Sequence, residues 1–148
     1  MGNEKMQMKG SMLAVIKKPN GDIQTVRKDN LILNNGFDFI CNAIGSATSR
    51  PAVMSHIAVG SGTTAPAATQ TALVNEITRK AADYSHSTGT KVMMFTTRFG
   101  AGEATGALTE AGVVNASSGG TFIDRVTFSV INKGEADELT ITFQFTLS

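Results

Sequence analysis

Gly60, Gly62 and Ala65 follow the short β-prone run His56-Ile57-Ala58-Val59 with the spacing G-x-G-x-x-A. After a strand, such a loop can turn backbone N–H groups toward a pyrophosphate, and an acidic residue about twenty positions on can hold the ribose. Asp83 stands near that distance. The surroundings argue for a different role. Pro66 would suit a first helical turn, but residues 60–71 carry no apolar stripe to hold a helix against a sheet. The later strands alternate with period two, as antiparallel sheets do, and lack the continuous apolar runs of a βαβ fold. The stretch is therefore read as a wide connector between strands. Nucleotide binding through Gly60 to Ala65 is the distant alternative.

No other residues assemble a reaction centre. His56 and His86 are the only histidines, and no Cys, His or carboxylate stands at zinc-ligand spacing from them. There is no G-x-S-x-G elbow. Glu103, Glu110, Asp124 and Asp137 are scattered carboxylates, each read as a turn or surface residue. Cys41 is the single cysteine, so no intrachain disulfide can form. A net charge of +1 gives no general attraction for nucleic acid or an anionic membrane. Nucleic-acid binding also wants basic residues interleaved with aromatics, whereas the Phe residues sit in core parity and Tyr84 stands alone. A carbohydrate platform would want exposed Trp or Tyr, and the chain has no Trp and one Tyr. The expectation is a protein without catalytic residues, metal or cofactor.

The elements that must position these residues read as follows. A length of 148 residues suggests one domain able to bury a core without staples. Residues 1–10 are polar and Met-rich and read as a flexible arm; residues 11–148 form the domain. Met12 to Lys17 and Ile23 to Lys28 flank Pro19-Asn20-Gly21-Asp22, strong turn chemistry, and predict a hairpin. Its exposed face is expected to carry Lys17, Lys18, Arg27 and Lys28. Phe37, Ile40, Cys41 and Ile44 fall at i, i+3, i+4 and i+7 and predict a helix over 36–44. Asn35 is the expected cap, Gly45 the terminator, and Cys41 a buried apolar residue.

Later segments read as strands. Met93, Phe95 and Phe99 share one parity, and so do Phe122, Val126, Phe128 and Val130. Leu139, Ile141, Phe143, Phe145 and Leu147 alternate strictly with Thr140, Thr142, Gln144 and Thr146, the mark of a half-buried antiparallel strand. The fold class expected is all-β: an antiparallel sandwich of jelly-roll type with one short helix. Charged residues make up 17% of the chain, below the usual quarter, and Gly, Ala, Ser and Thr abound. Such a surface suits packing against other protein. The longest early apolar run, Met12 to Ile16, is too short for a signal or a membrane span.

One ordered string of motifs resembles a family of virion proteins of tailed bacteriophages. It runs through Leu33-Asn34-Asn35-Gly36-Phe37, then His56 to Ala67, Thr71-Ala72-Leu73 and Arg79-Lys80. It continues through Phe99 to Ala104, Leu108-Thr109-Glu110-Ala111-Gly112, Asn115 to Thr121, Arg125-Val126-Thr127-Phe128, Ile131-Asn132-Lys133 and Leu139 to Thr142. The resemblance covers about residues 30–148 and implies a small β-sandwich structural protein without catalytic residues. Some members resemble capsid decoration (cement) proteins; others are tail-fibre or collar components. The implied partners are the major capsid protein and further copies of the chain, as a homodimer or homotrimer. The implied place is the capsid exterior, after synthesis in the host cytoplasm. Contact residues expected on this basis are Lys17, Lys18, Arg27, Lys28, Gly60, Gly62, Thr63, Thr64 and Pro66.

Overall fold

The computed structural model describes residues 4–148. Residues 1–3 of the expected arm lie outside the described residues. The chain is all-β with one short helix. Its strands are β1 (Met8–Lys17), β2 (Ile23–Ile32), β3 (His56–Gly60), β4 (Glu76–Ala81), β5 (Asp83–His86), β6 (Val92–Phe99), β7 (Gly106–Val114), β8 (Asp124–Lys133) and β9 (Glu138–Leu147); helix α1 spans Asn34–Gly45. Their order across the sheet is β4-β3-β7-β8-β2-β1-β9-β6-β5, and every pairing is antiparallel.

This sheet folds on itself into two layers, sandwich- or barrel-like and nearly closed. One layer is β2-β1-β9-β6-β5; the other is β4-β3-β7-β8. On one side they join only where Leu31 and Ile32 pair with Arg125 and Asp124. On the other, β4 runs through Ala82 directly into β5. The core lies between the layers. Met12, Ala14, Ile16, Leu139, Ile141, Phe143 and Phe145 of the first face Ile57, Val59, Leu108, Val113 and Val126 of the second. The strict alternation of β9 is realised: Leu139, Ile141, Phe143 and Phe145 are fully buried.

The hairpin over residues 12–28 forms, with longer arms. Lys17 pairs with Ile23 and Gly10 with Asn30. Gly21 takes φ +92°, which an L side chain rarely adopts, and Asn20 Oδ1 accepts the Asp22 N–H at 2.9 Å. The strand starts earlier than the sequence suggests. Met8, Lys9 and Gly10 pair with Leu147, Thr146 and Phe145, so the end of the expected arm belongs to the sheet.

The helix differs more. It begins at Asn34 after Leu33, with no side-chain cap, so Asn35 does not cap it. The apolar stripe at 37, 41 and 44 faces outward: Phe37 is 49% and Ile44 77% exposed, and Cys41 is exposed as well. The buried side is set by Gly36. A Cβ there would collide with the Ile123 carbonyl, so only glycine lets the helix approach β8 this closely. Phe39 and Ile40 pack against the core from the same side.

The expected one-face run of Phe122, Val126, Phe128 and Val130 breaks at both ends: Phe122 precedes β8 and packs apart from the main core that holds Val126 and Phe128, and Val130 is 48% exposed while Ile131 is buried. Leu108 pairs with Ile131 and Glu110 with Thr127, so a bulge in β8 resets the parity between them.

Candidate functional site

The glycine loop is built around Glu110. On β7, Glu110 stands opposite Gly60 of β3. Its side chain leaves the layer on the side away from the main core, because its neighbour Ala111 pairs with Val59 on the core side. Ala58 and Val114 share the outward side with it. They are covered by the chain that follows β3, forming a second small core with Leu33, Leu73 and Phe122. Burial on both faces explains why β3 and β7 show no alternation.

The Glu110 carboxylate takes four donors. Oε2 accepts the N–H of Gly62 at 2.6 Å and of Asn75 at 2.7 Å; Oε1 accepts the N–H of Val74 at 2.8 Å and Arg125 Nε at 3.0 Å. Arg125 Nη1 donates onward to Thr64 O at 2.7 Å and Gln70 Oε1 at 3.1 Å. Gln70 Nε2 returns to Ala65 O at 3.1 Å. Both charged side chains are fully buried. A Cβ at Gly60 would lie 2.7 Å from Glu110 Oε2, and one at Gly62 would collide with the same carboxylate and with Val74. Gly62 is needed because this carboxylate and Val74 occupy the space beside it, and Gly60 because the Asn75 carbonyl lies closer still than the carboxylate. Burial pushes the Glu110 carboxyl up, yet the bonds from Asn75, Val74, Arg125 and Gly62 outweigh it and hold the group below the ordinary glutamate value.

The loop is therefore an anion cradle whose anion is the protein's own. In this arrangement the Gly62 N–H is already given to Glu110 and is not offered to a phosphate. The pair's effect is to fix the loop, leaving Thr63, Thr64 and Ala65 exposed at its tip.

The expected contact residues separate into different settings. Gly60 and Gly62 are buried; Thr63 and Thr64 are exposed, and Pro66 is half-buried. The four basic residues do not form one cluster. Lys18 is drawn to Asp137 Oδ2 at 2.6 Å and Asn132 O at 3.1 Å. Lys17 and Arg27 lie on the outer face of the first layer. Lys28 pairs with Met12 and so points to the opposite, inner side of β2, though it remains exposed there. Strand alternation alone splits Arg27 from Lys28.

The scattered carboxylates have individual structural tasks. Asp137 accepts Lys18 and the Gly134 N–H at 2.7 Å, which hold it below the ordinary aspartate value. Glu103 accepts Lys80 and the Gly100 N–H, both at 2.7 Å, with the same effect. Asp124 is fully buried at the β2–β8 join and accepts the Val113 N–H at 2.8 Å and the Asn30 side-chain amide. Among the described residues no group of three or more His, Cys, Asp or Glu is placed to hold a metal ion. No helix among them is long and apolar enough to cross a membrane.

Sequence reasoning did not single out the Glu110–Arg125 pair. Fifteen positions separate its members, a distance at which nothing local links them. The available signal was the lone charge Glu110 within β7, a strand otherwise built of apolar and small residues; Arg125 shares β8 with Asp124 and Lys133 and carried no such signal. Compared with family models, curated proteins and solved structures, the chain matches none.

Proposed function

We propose that this chain is a non-enzymatic virion structural protein of a tailed bacteriophage, a capsid decoration (cement) protein that bridges neighbouring major capsid subunits. The observation that carries this reading is the internal use of the glycine loop. Its N–H donors and its glycines serve Glu110 and Arg125, which favours a rigid presenting loop over a ligand site.

The way the distant motifs meet supports it further. His56 to Ala67, Leu108 to Gly112 and Arg125 converge on the one buried pair. Arg79 reaches the Asn115 to Thr121 turn through Ala116 O and Gly119 O, both at 2.9 Å, with its guanidinium 5.4 Å from the Phe122 ring centre. Gly36 meets Ile123. These parts of the string that resembles virion proteins thus meet in one structural framework, which leaves Thr63 to Ala65 exposed.

A cement protein acts by binding. A ligand of the assembled shell shifts the equilibrium toward the shell, and many weak contacts add by multivalency. Exposed Thr63 and Thr64 at the loop tip are the capsid contact residues this reading retains; Lys17 and Arg27, on the outer sheet face, are left to self-association. Self-association as a homodimer or homotrimer belongs to the same reading. The test uses shells assembled without the protein. They should form but open at lower temperature, and added protein should bind saturably and restore them. Shells equally stable with and without it, joined to a defect in tail assembly or adsorption, would instead place the protein in the tail, collar or fibre attachment.

A further inference from the structure

The outer face of the first layer has an unusual distribution of charge. Side chains at alternate positions of β1, β9 and β6 point away from the core. At the centre stand Leu13, Val15, Thr140, Thr142, Met94 and Thr96, none charged and each half-buried although facing outward. Thr96 Oγ1 and Thr142 Oγ1 bond each other at 3.2 Å across the strands, so these hydroxyls already have a partner on the face. Charges flank this centre: Lys9 and Lys17 toward the ends of β1, Glu138 and Arg98 at the ends of β9 and β6, where they pair with each other at 2.7 Å, Arg27 and Asp29 along the flanking β2, with Arg27 beside Leu13, and Asp83 on the flanking β5 beside Thr96. Ordinary solvent-facing strands intersperse both signs through the middle. An uncharged centre within a charged rim is instead the layout of a protein interface.

At the Lys9 end the face meets a wall. Leu31, 37% exposed, and Phe37 of α1 stand beside Lys9, Ser11, Gln144 and Thr146 and enclose a groove of about 730 Å³. The outward turn of the helix stripe thereby adds the Phe37 ring to the margin of the same surface.

We propose that this face is where two copies of the chain associate, sheet against sheet, about a two-fold axis. Its extent fits. Five strands about 4.8 Å apart and up to ten residues long give a face of roughly 600–700 Å². A specific interface takes about 800 Å² from each partner, and exposed Phe37 and Leu31 at the margin extend the face toward that size. Its charges also fit, because the rim carries both signs and can answer a second copy of itself. One contiguous patch that is self-complementary generates a closed two-fold pair rather than a ring. The proposal deepens the self-association part of the reading above and rests on it there alone. A monomeric chain would overturn this interface and leave capsid binding untouched.

Sedimentation velocity of the full chain over a rising concentration series tests it. The wild type should be dimeric. Leu13→Lys and Thr142→Arg each place a charge at the centre and should weaken the dimer by at least about 100-fold. Their circular dichroism and unfolding midpoints should match those of the wild-type monomer, since both side chains point away from the core. Thr142→Cys in a Cys41→Ser background reads the interface without a bulky change: maleimide labelling at position 142 should slow as protein concentration rises through the dissociation constant. A wild type that stays monomeric, a trimer, variants that dimerise as tightly as the wild type, or labelling independent of concentration would each overturn the assignment.

Discussion

Two buried carboxylates set the residue-scale behaviour, and they act in opposite senses. Glu110 is held ionised by three backbone N–H groups and Arg125. A buried pair of this kind is a weak net stabiliser, but removing one member strands the other. Glu110→Ala should therefore cost about 3–5 kcal/mol in urea unfolding, and Glu110→Ala with Arg125→Met should recover part of it. A single variant within 1 kcal/mol of wild type, on the order expected for a surface site, would mean the pair does not hold the loop. For Asp124, burial pushes the carboxyl up to about 8 despite its bonds from Val113 and Asn30. The folded state then holds the proton more tightly than the unfolded chain, where the value is 3.8. Its stabilising share is complete below about pH 4 and is lost as pH rises through about 8. Asp124→Asn keeps the shape and has no proton to lose. Between about pH 5 and about pH 8 its unfolding free energy should gain on the wild type's by several kcal/mol. Parallel pH profiles for the two proteins would show that Asp124 is ionised in the folded state throughout.

At the scale of elements, β9 is the strand whose fate follows most directly from its residues. Phe143 is fully buried between the layers, whereas Thr142 next to it faces outward. Phe143→Ala should destabilise by about 3–5 kcal/mol, and Thr142→Ala by under about 1 kcal/mol; equal losses in chemical denaturation would contradict the register. The helix gives the reverse case. Its 3.6-residue periodicity correctly marks a helix but not which side is buried, because a stripe cannot tell core from surface. Cys41 in the native protein should react with a maleimide nearly as fast as a free thiol, and Cys41→Ser should change stability by less than about 0.5 kcal/mol. A protected thiol would mean that this stripe is covered. The hairpin, β6 and β9 were legible because one face is wet and the other dry. β7 was not, since the chain after β3 covers its second face and removes the alternation. The bulge at residues 128–130 hid the parity of β8 in the same way. β4 and β5 are short edge strands with mixed residues, and only pairing to β3 and β6 defines them.

For the molecule as a whole, the all-β class and the single helix could be read from the chain, while the joining of the layers could not. That joining depends on a pairing far apart in sequence, Leu31 with Arg125, and each layer is itself closed by distant pairs: Gly60 with Glu110 in one, Met8 with Leu147 in the other. The glycine loop shows the same limit, since its purpose appears only when Glu110 and Arg125 arrive from two other strands. The resulting molecule has a fixed loop with an exposed tip and a broad sheet face uncharged at its centre, features suited to binding protein. The proposed role in the capsid makes a quantitative demand on the particle. Purified virions, resolved on a denaturing gel and stained for protein, should contain this chain at a fixed stoichiometric ratio to the major capsid subunit, with copies spread over the whole shell. A few copies per particle, in the amount expected of a single tail or collar, would contradict the account.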